Sequence, residues 1–207
     1  MSKKKILTLV LALALIATCA ISGTVAWLID EEQSIANTFT IGDIDIELKD
    51  ATISVDTFVP GDAIAVNSNV VVKANSEDCY LFIKVTDTNN DYSSLSSTKA
   101  IQWAVNTAAS EWKQVPGLTD YWYREVAKTS TDKICYIFKG DVSNTNGQFT
   151  VSKDVTKAMV QEMKNEKMPV VSIAAAAIQE KHINDVVSAF NELPESFRGT
   201  DNAIKNN

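Results

Sequence analysis

Cys79-Tyr80-Leu81-Phe82-Ile83-Lys84-Val85 carries apolar side chains at both odd and even positions. A strand with that composition buries both of its faces and belongs in the middle of a sheet. Upstream, Ile44-Asp45-Ile46-Glu47-Leu48 alternates strictly, which gives one apolar and one acidic strand face. Thr52-Ile53-Ser54-Val55-Asp56 alternates again and stops at Val59-Pro60-Gly61, a turn with proline in a favoured place. Ala63 to Lys73 reads as one further strand, densest in β-branched residues at Val70-Val71-Val72.

Downstream, the polar stretch Thr86 to Thr98 reads as a long loop. Shorter strands are expected over 101–105, 111–115, 121–126 and 134–138, and Asn144-Thr145-Asn146-Gly147 is a turn signal before Phe149-Thr150-Val151. Asp154 is placed to cap a helix running to about Glu166, with Val155, Met159 and Met163 on one face. Pro169 to Ile178 reads as a buried strand. Asn184 to Leu193 suits a second helix, with Ile183, Val186, Val187 and Phe190 inward and Pro194 beyond its end. Many short strands, two minor helices, no βαβ rhythm and no repeat together predict a mainly β chain, an antiparallel β-sandwich.

The N-terminus carries an address. Lys3, Lys4 and Lys5 precede an apolar run from Ile6 to Ile21, and small residues follow at Ser22, Gly23, Thr24 and Ala26. A signal peptidase takes an extended segment with small side chains at −1 and −3, so Thr24 and Ala26 predict cleavage before Trp27. A retained membrane anchor, with the apolar stretch extended to Ile29, and lipidation at Cys19 are the alternatives. The expected organisation is a signal peptide (1–26, helical), a β-sandwich domain (27–194) and a polar C-terminal tail (195–207). Membrane contact is expected only through the uncleaved leader.

Cleavage there leaves 181 of 207 residues, enough for one domain with a substantial core. Without Lys3, Lys4 and Lys5 the 19 basic residues become 16 against 26 acidic ones, a net charge of −10. That balance argues against nucleic acid or an anionic lipid surface as partner. Only 7 glycines and 4 prolines, with 45% hydrophobic residues, argue for a packed domain over a low-complexity stalk.

The leader and its sequel also carry a resemblance. Gly23-Thr24-Val25-Ala26-Trp27-Leu28-Ile29-Asp30, then Asn37-Thr38-Phe39-Thr40-Ile41-Gly42-Asp43-Ile44-Asp45-Ile46, resembles the start of the TasA/camelysin family. Asn75 to Val85 is similar to further clostridial members. The resemblance implies a jelly-roll-like sandwich, export from a Gram-positive bacterium, removal of the leader by a signal peptidase of the SipW type, and a place at the cell surface or in the biofilm matrix. It also implies fibre assembly, with self or other matrix proteins as partners. In that reading Phe39, Ile41, Ile44 and Ile46 form a donor strand for the next subunit. The alternative is a monomeric surface module that holds glycan or protein on an aromatic face made by Trp103, Trp112, Trp122 and Tyr123.

Camelysin-type relatives have been described as metallopeptidases, but this chain has a single histidine, His182, and no HExxH pair. A zinc site of that kind cannot form, and the lone histidine argues against a serine or cysteine triad, so no enzyme is expected. No cofactor is expected either. Asp87-Thr88-Asn89-Asn90-Asp91 spaces oxygens as calcium loops do, yet Tyr92 stands where such a loop needs glycine and Thr98 where it needs glutamate. Asp43, Asp45 and Glu47 line one strand face, for which cation binding is one reading and an exposed charged surface that discourages stray edge pairing is the commoner one. Cys79 and Cys135 sit in similar strand settings, which leaves a disulfide and two buried free thiols both open.

Overall fold

A computed structural model of the chain describes residues 38–55, 59–95, 98–108, 111–140, 147–165 and 167–199. The leader, Cys19, the cleavage residues Thr24, Ala26 and Trp27, the turn residues Asn144 to Asn146 and the end of the tail lie outside these residues. The strands are β1 (Thr38–Ile41), β2 (Ile46–Lys49), β3 (Thr52–Ser54), β4 (Ala63–Val66), β5 (Asn69–Val72), β6 (Cys79–Thr88), β7 (Ile101–Gln102), β8 (Lys113–Gln114), β9 (Tyr121–Val126), β10 (Lys133–Tyr136), β11 (Gly147–Val151) and β12 (Val170–Gln179). The helices are α1 (Lys157–Asn165), α2 (Val186–Glu192) and α3 (Glu195–Arg198).

The long strands β6 and β12 pair antiparallel along their whole length, from Cys79↔Gln179 to Thr88↔Val170. They centre a first sheet of order β1-β12-β6-β9-β8, in which β3 joins β12 beside β1. Two smaller sheets, β10-β5-β2 and β4-β11-β7, complete the strands. Pleating then sets the layers. Leu81, Ile83 and Val85 of β6 and Val171, Ile173, Ala175 and Ala177 of β12 face one core, shared with Ile46, Leu48, Val70, Val72, Phe149 and Val151 of the smaller sheets. Tyr80, Phe82, Ala176 and Ile178 face a second core beneath Phe190, Leu193 and Phe197 of the C-terminal helices. The fold is a mainly β sandwich with one outer face roofed by helices. The expected central position of 79–85 follows from this, because both of its faces are covered.

Three departures from the sequence reading have local causes. The run 63–73 is two strands, not one. Ser68 Oγ donates to Asp50 O at 2.9 Å and Asn69 Nδ2 to Asn67 O at 2.8 Å, so β4 enters one small sheet and β5 the other. The loop expected from Thr86 begins only after Thr88, since β12 is long enough to pair β6 to that point. Residues 195–198 are not a free tail but a helical turn with Phe197 buried.

The first helix starts later than expected, because Thr156 Oγ1 accepts from Met159 N at 3.3 Å and acts as its cap. Asp185 caps α2, its carboxylate accepting from Ser188 N at 2.8 Å. Among the described residues no helix is long and apolar enough to cross a membrane.

Candidate functional site

The N-terminal strand occupies a slot at the edge of the first sheet. Here β1 runs parallel to β12, with Thr38↔Ala175 and Ile41↔Ile178 as end partners. Phe39 is the half-buried residue of β1, and its ring meets Phe197 edge-on at 6.0 Å. Phe197 in turn packs on Tyr121 at 5.8 Å, and Tyr121 on Phe190 at 5.1 Å. The Tyr121 hydroxyl donates to Arg198 O at 2.5 Å, with Phe197 O at 3.3 Å. Arg198 Nε donates to Leu193 O at 2.7 Å, which closes the turn of α3 over the slot.

The expected donor-strand residues do not form one continuous strand. Phe39 and Ile41 lie on β1, and Ile41 is 38% exposed. Ile44 and Ile46 are 7% exposed and belong to the core between the sheets, where Ile46 pairs Val72. Gly42 separates the two halves at φ 103°, a left-handed backbone that a side chain disfavours. A Cβ there would stand 2.7 Å from Gln179 Cβ. Tyr121 belongs to the aromatic cluster and Ala175 to Ile178 to the expected buried strand, but Phe197 and the slot they form together were not legible from sequence. An apolar Phe197 in an otherwise polar segment was the available signal.

The four aromatic residues do not share a face. Trp112 is 1% exposed, and its Nε1 donates to Tyr136 O at 2.7 Å. Trp122 and Tyr123 are neighbours on β9 and therefore point to opposite sides, towards the first and second core respectively. Trp103 and Trp122 do meet, edge-on at 6.3 Å, and Trp103 also meets Phe138 at 5.8 Å. Trp103 lines a cleft of about 660 Å³ with Thr86, Asp87, Lys99 and Gln102.

Cys79 and Cys135 are both buried and both free in this structure. Burial, followed by the neighbouring Cys135, pushes the Cys79 thiol up to about 12. Both thiols are held in the inert protonated form.

The oxygens of Asp87 to Asp91 do not converge on an empty centre. Lys99 Nζ stands between them, 3.0 Å from Asp87 Oδ1 and 2.9 Å from Asp91 Oδ1. Asp87 also accepts from Asn90 Nδ2 at 2.7 Å and Trp103 Nε1 at 3.2 Å. An ammonium group thus holds the position that a metal cation would need. His182 lies exposed at φ 73° in the turn before α2. Among the described residues no three His, Cys, Asp or Glu side chains gather to hold a metal, so this donor set does not fit a zinc peptidase centre.

Comparison with known proteins gives one match. A family model described as camelysin metallo-endopeptidase matches residues 2–114. No curated protein and no solved structure matches the chain. The matched segment exceeds half of the 207 residues and runs from the leader through β1 and the slot-crossing Gly42 to β8, and on that match the chain belongs to the TasA/camelysin family.

Proposed function

We infer that the chain is an exported, non-enzymatic structural protein that assembles at the cell surface or in the matrix by exchange of its N-terminal strand. Family membership suggests a secreted structural or matrix role. The observation that carries the finer reading is the attachment of β1. It is a four-residue edge strand that, among the described residues, pairs with β12 alone, and it leads through Gly42 at φ 103° into β2, whose Ile46 and Leu48 are buried. Opening at that glycine releases β1 while Ile44 and Ile46 stay in the core.

The vacated slot then takes β1 of another copy through the same main-chain bonds, with Phe39 against Phe197. Each subunit gives its strand forward and receives one from behind, so the contact is head-to-tail and extends into a fibre. Nothing new has to be stabilised in the interface beyond what one subunit already holds internally. The leader precedes β1, so its removal by a SipW-type peptidase sets the strand free to move.

Register supplies the test. Thr40 pairs Ala177. In a Cys19→Ser background, Thr40→Cys with Ala177→Cys is oxidised and run on a non-reducing gel. A ladder of covalent multimers from assembled material is the expected result. Monomer alone, with the bond formed within each chain, overturns strand exchange and leaves a monomeric surface module.

A further inference from the structure

We propose that the cleft beside Trp103 is a binding groove for an uncharged oligosaccharide, independent of any strand exchange. The cleft of about 660 Å³ adjoins a second of about 430 Å³, and the two share Gln102 and Trp103. Each is of the size that small-ligand sites have. Together they run along β7 and onto the outer face of β11, where Thr150 pairs Gln102 and Gln148 follows two residues away. That continuity fits an extended chain of sugars better than a single ring.

The indole is positioned for such a ligand. Trp103 is half-buried, its Nε1 is tied to Asp87 and two rings brace it edge-on, so its remaining surface is presented in a fixed orientation. A fixed aromatic surface costs little ordering when it takes the C–H face of a pyranose. Trp112 and Trp122 do not line these two clefts.

The charges of the groove are arranged against an ionic ligand. Asp87, which lines the groove, is paired with Lys99, which also reaches the outlying Asp91. Asp120 at one end and Lys139 at the other are exposed and opposite in sign. The lining carboxylates Asp87 and Asp120 are thus matched by the lining ammonium groups of Lys99 and Lys139, and the whole chain at −7 repels polyanions. What lies along the middle is amide and hydroxyl: Thr86, Gln102, Gln148 and Thr150. These groups both donate and accept, as a rim of sugar hydroxyls requires.

The test is titration calorimetry of the full chain with cellohexaose and with chitohexaose, repeated on Gln102→Ala and Thr150→Ala. Both side chains lie outside the cores, so the variants are expected to melt with the parent. Binding of at least one of the two sugars is expected, weakened about fivefold to tenfold in each variant, the size of a lost neutral hydrogen bond. Trp103→Phe, which keeps a ring against Phe138 but loses the indole N–H and part of the surface, is expected to weaken it further. No heat with either sugar overturns the proposal. So does binding that both variants leave unchanged, or binding of heparin in preference to the neutral sugars.

Discussion

Asp87 has a carboxylate that is nearly enclosed, 11% exposed, and three donors reach it. Burial pushes its pKa up, but the bonds from Asn90, Lys99 and Trp103 outweigh that and hold it below the ordinary 3.8. Burial pulls the Lys99 ammonium down, and its bonds to Asp91 and Asp87 outweigh this in turn, holding it above 10.5. The two signs are opposite. The stability that Asp87 contributes is complete above 3.8 and is lost as pH falls through its depressed folded value. The stability from Lys99 is complete below 10.5 and is lost as pH rises through its elevated one. Asp87→Asn is therefore expected to lower the neutral plateau by about 2 kcal/mol, the scale of a hydrogen bond to a charged group, and to flatten the fall below pH 4. Urea unfolding from pH 2 to 8 checks both, and an unchanged acid limb would remove Asp87 from this account. Sequence spacing identified Asp87 to Asp91 as an oxygen-rich stretch but not its cation, since Lys99 is brought to it by an antiparallel bridge with Asp91.

The strands were largely legible as elements, because the physics that makes them is local. Double-sided apolar composition placed 79–85 at the centre, and alternation placed β2 and β3. Pairing was not legible. Nothing in Thr38-Phe39-Thr40-Ile41 announces a parallel partner 137 positions on, at Ala175↔Thr38, because register depends on the crossing at Gly42 and on small side chains in β12. The same applies to α3: a polar composition suggested a tail, and one phenylalanine with the right neighbours made a lid. Tyr121→Phe tests that lid. It removes the hydroxyl bonded to Arg198 O at 2.5 Å and leaves the ring packing on Phe190 and Phe197 in place. The expected cost is about 1–2 kcal/mol. Because α3 covers the β1 slot, amides of 38–41 and 195–199 are expected to exchange about tenfold faster, while those of β6 stay protected. Equal acceleration in β6 would mean that the hydroxyl supports the whole fold and not this edge.

At the scale of the molecule, net charge bears on the assembly proposed above. The family is named for a metallo-endopeptidase, whereas the described residues offer a sheet scaffold and two apolar cores, with no three His, Cys, Asp or Glu side chains gathered to hold a metal. Assembly, however, brings together subunits with 26 acidic residues each against 19 basic ones, fewer once the leader is gone. The contact proposed for β1 is itself uncharged: Thr38, Phe39, Thr40 and Ile41 against Ala175, Ala176, Ala177, Ile178 and Phe197. Its intrinsic strength therefore changes little with salt, while the repulsion between whole subunits is screened over about 10 Å at 0.1 M and about 30 Å at 0.01 M. Fibre formation is expected to be slow at 0.01 M salt and to accelerate strongly by 0.15 M, with magnesium chloride and sodium chloride equivalent once matched for ionic strength. Light scattering of the leaderless chain across both salts measures this. Faster growth at low salt would place an attractive ion pair in the interface and exclude β1 alone as the contact. A response to magnesium beyond its ionic strength would mean that acidic faces such as Asp43, Asp45 and Glu47 are bridged by cation between neighbouring subunits.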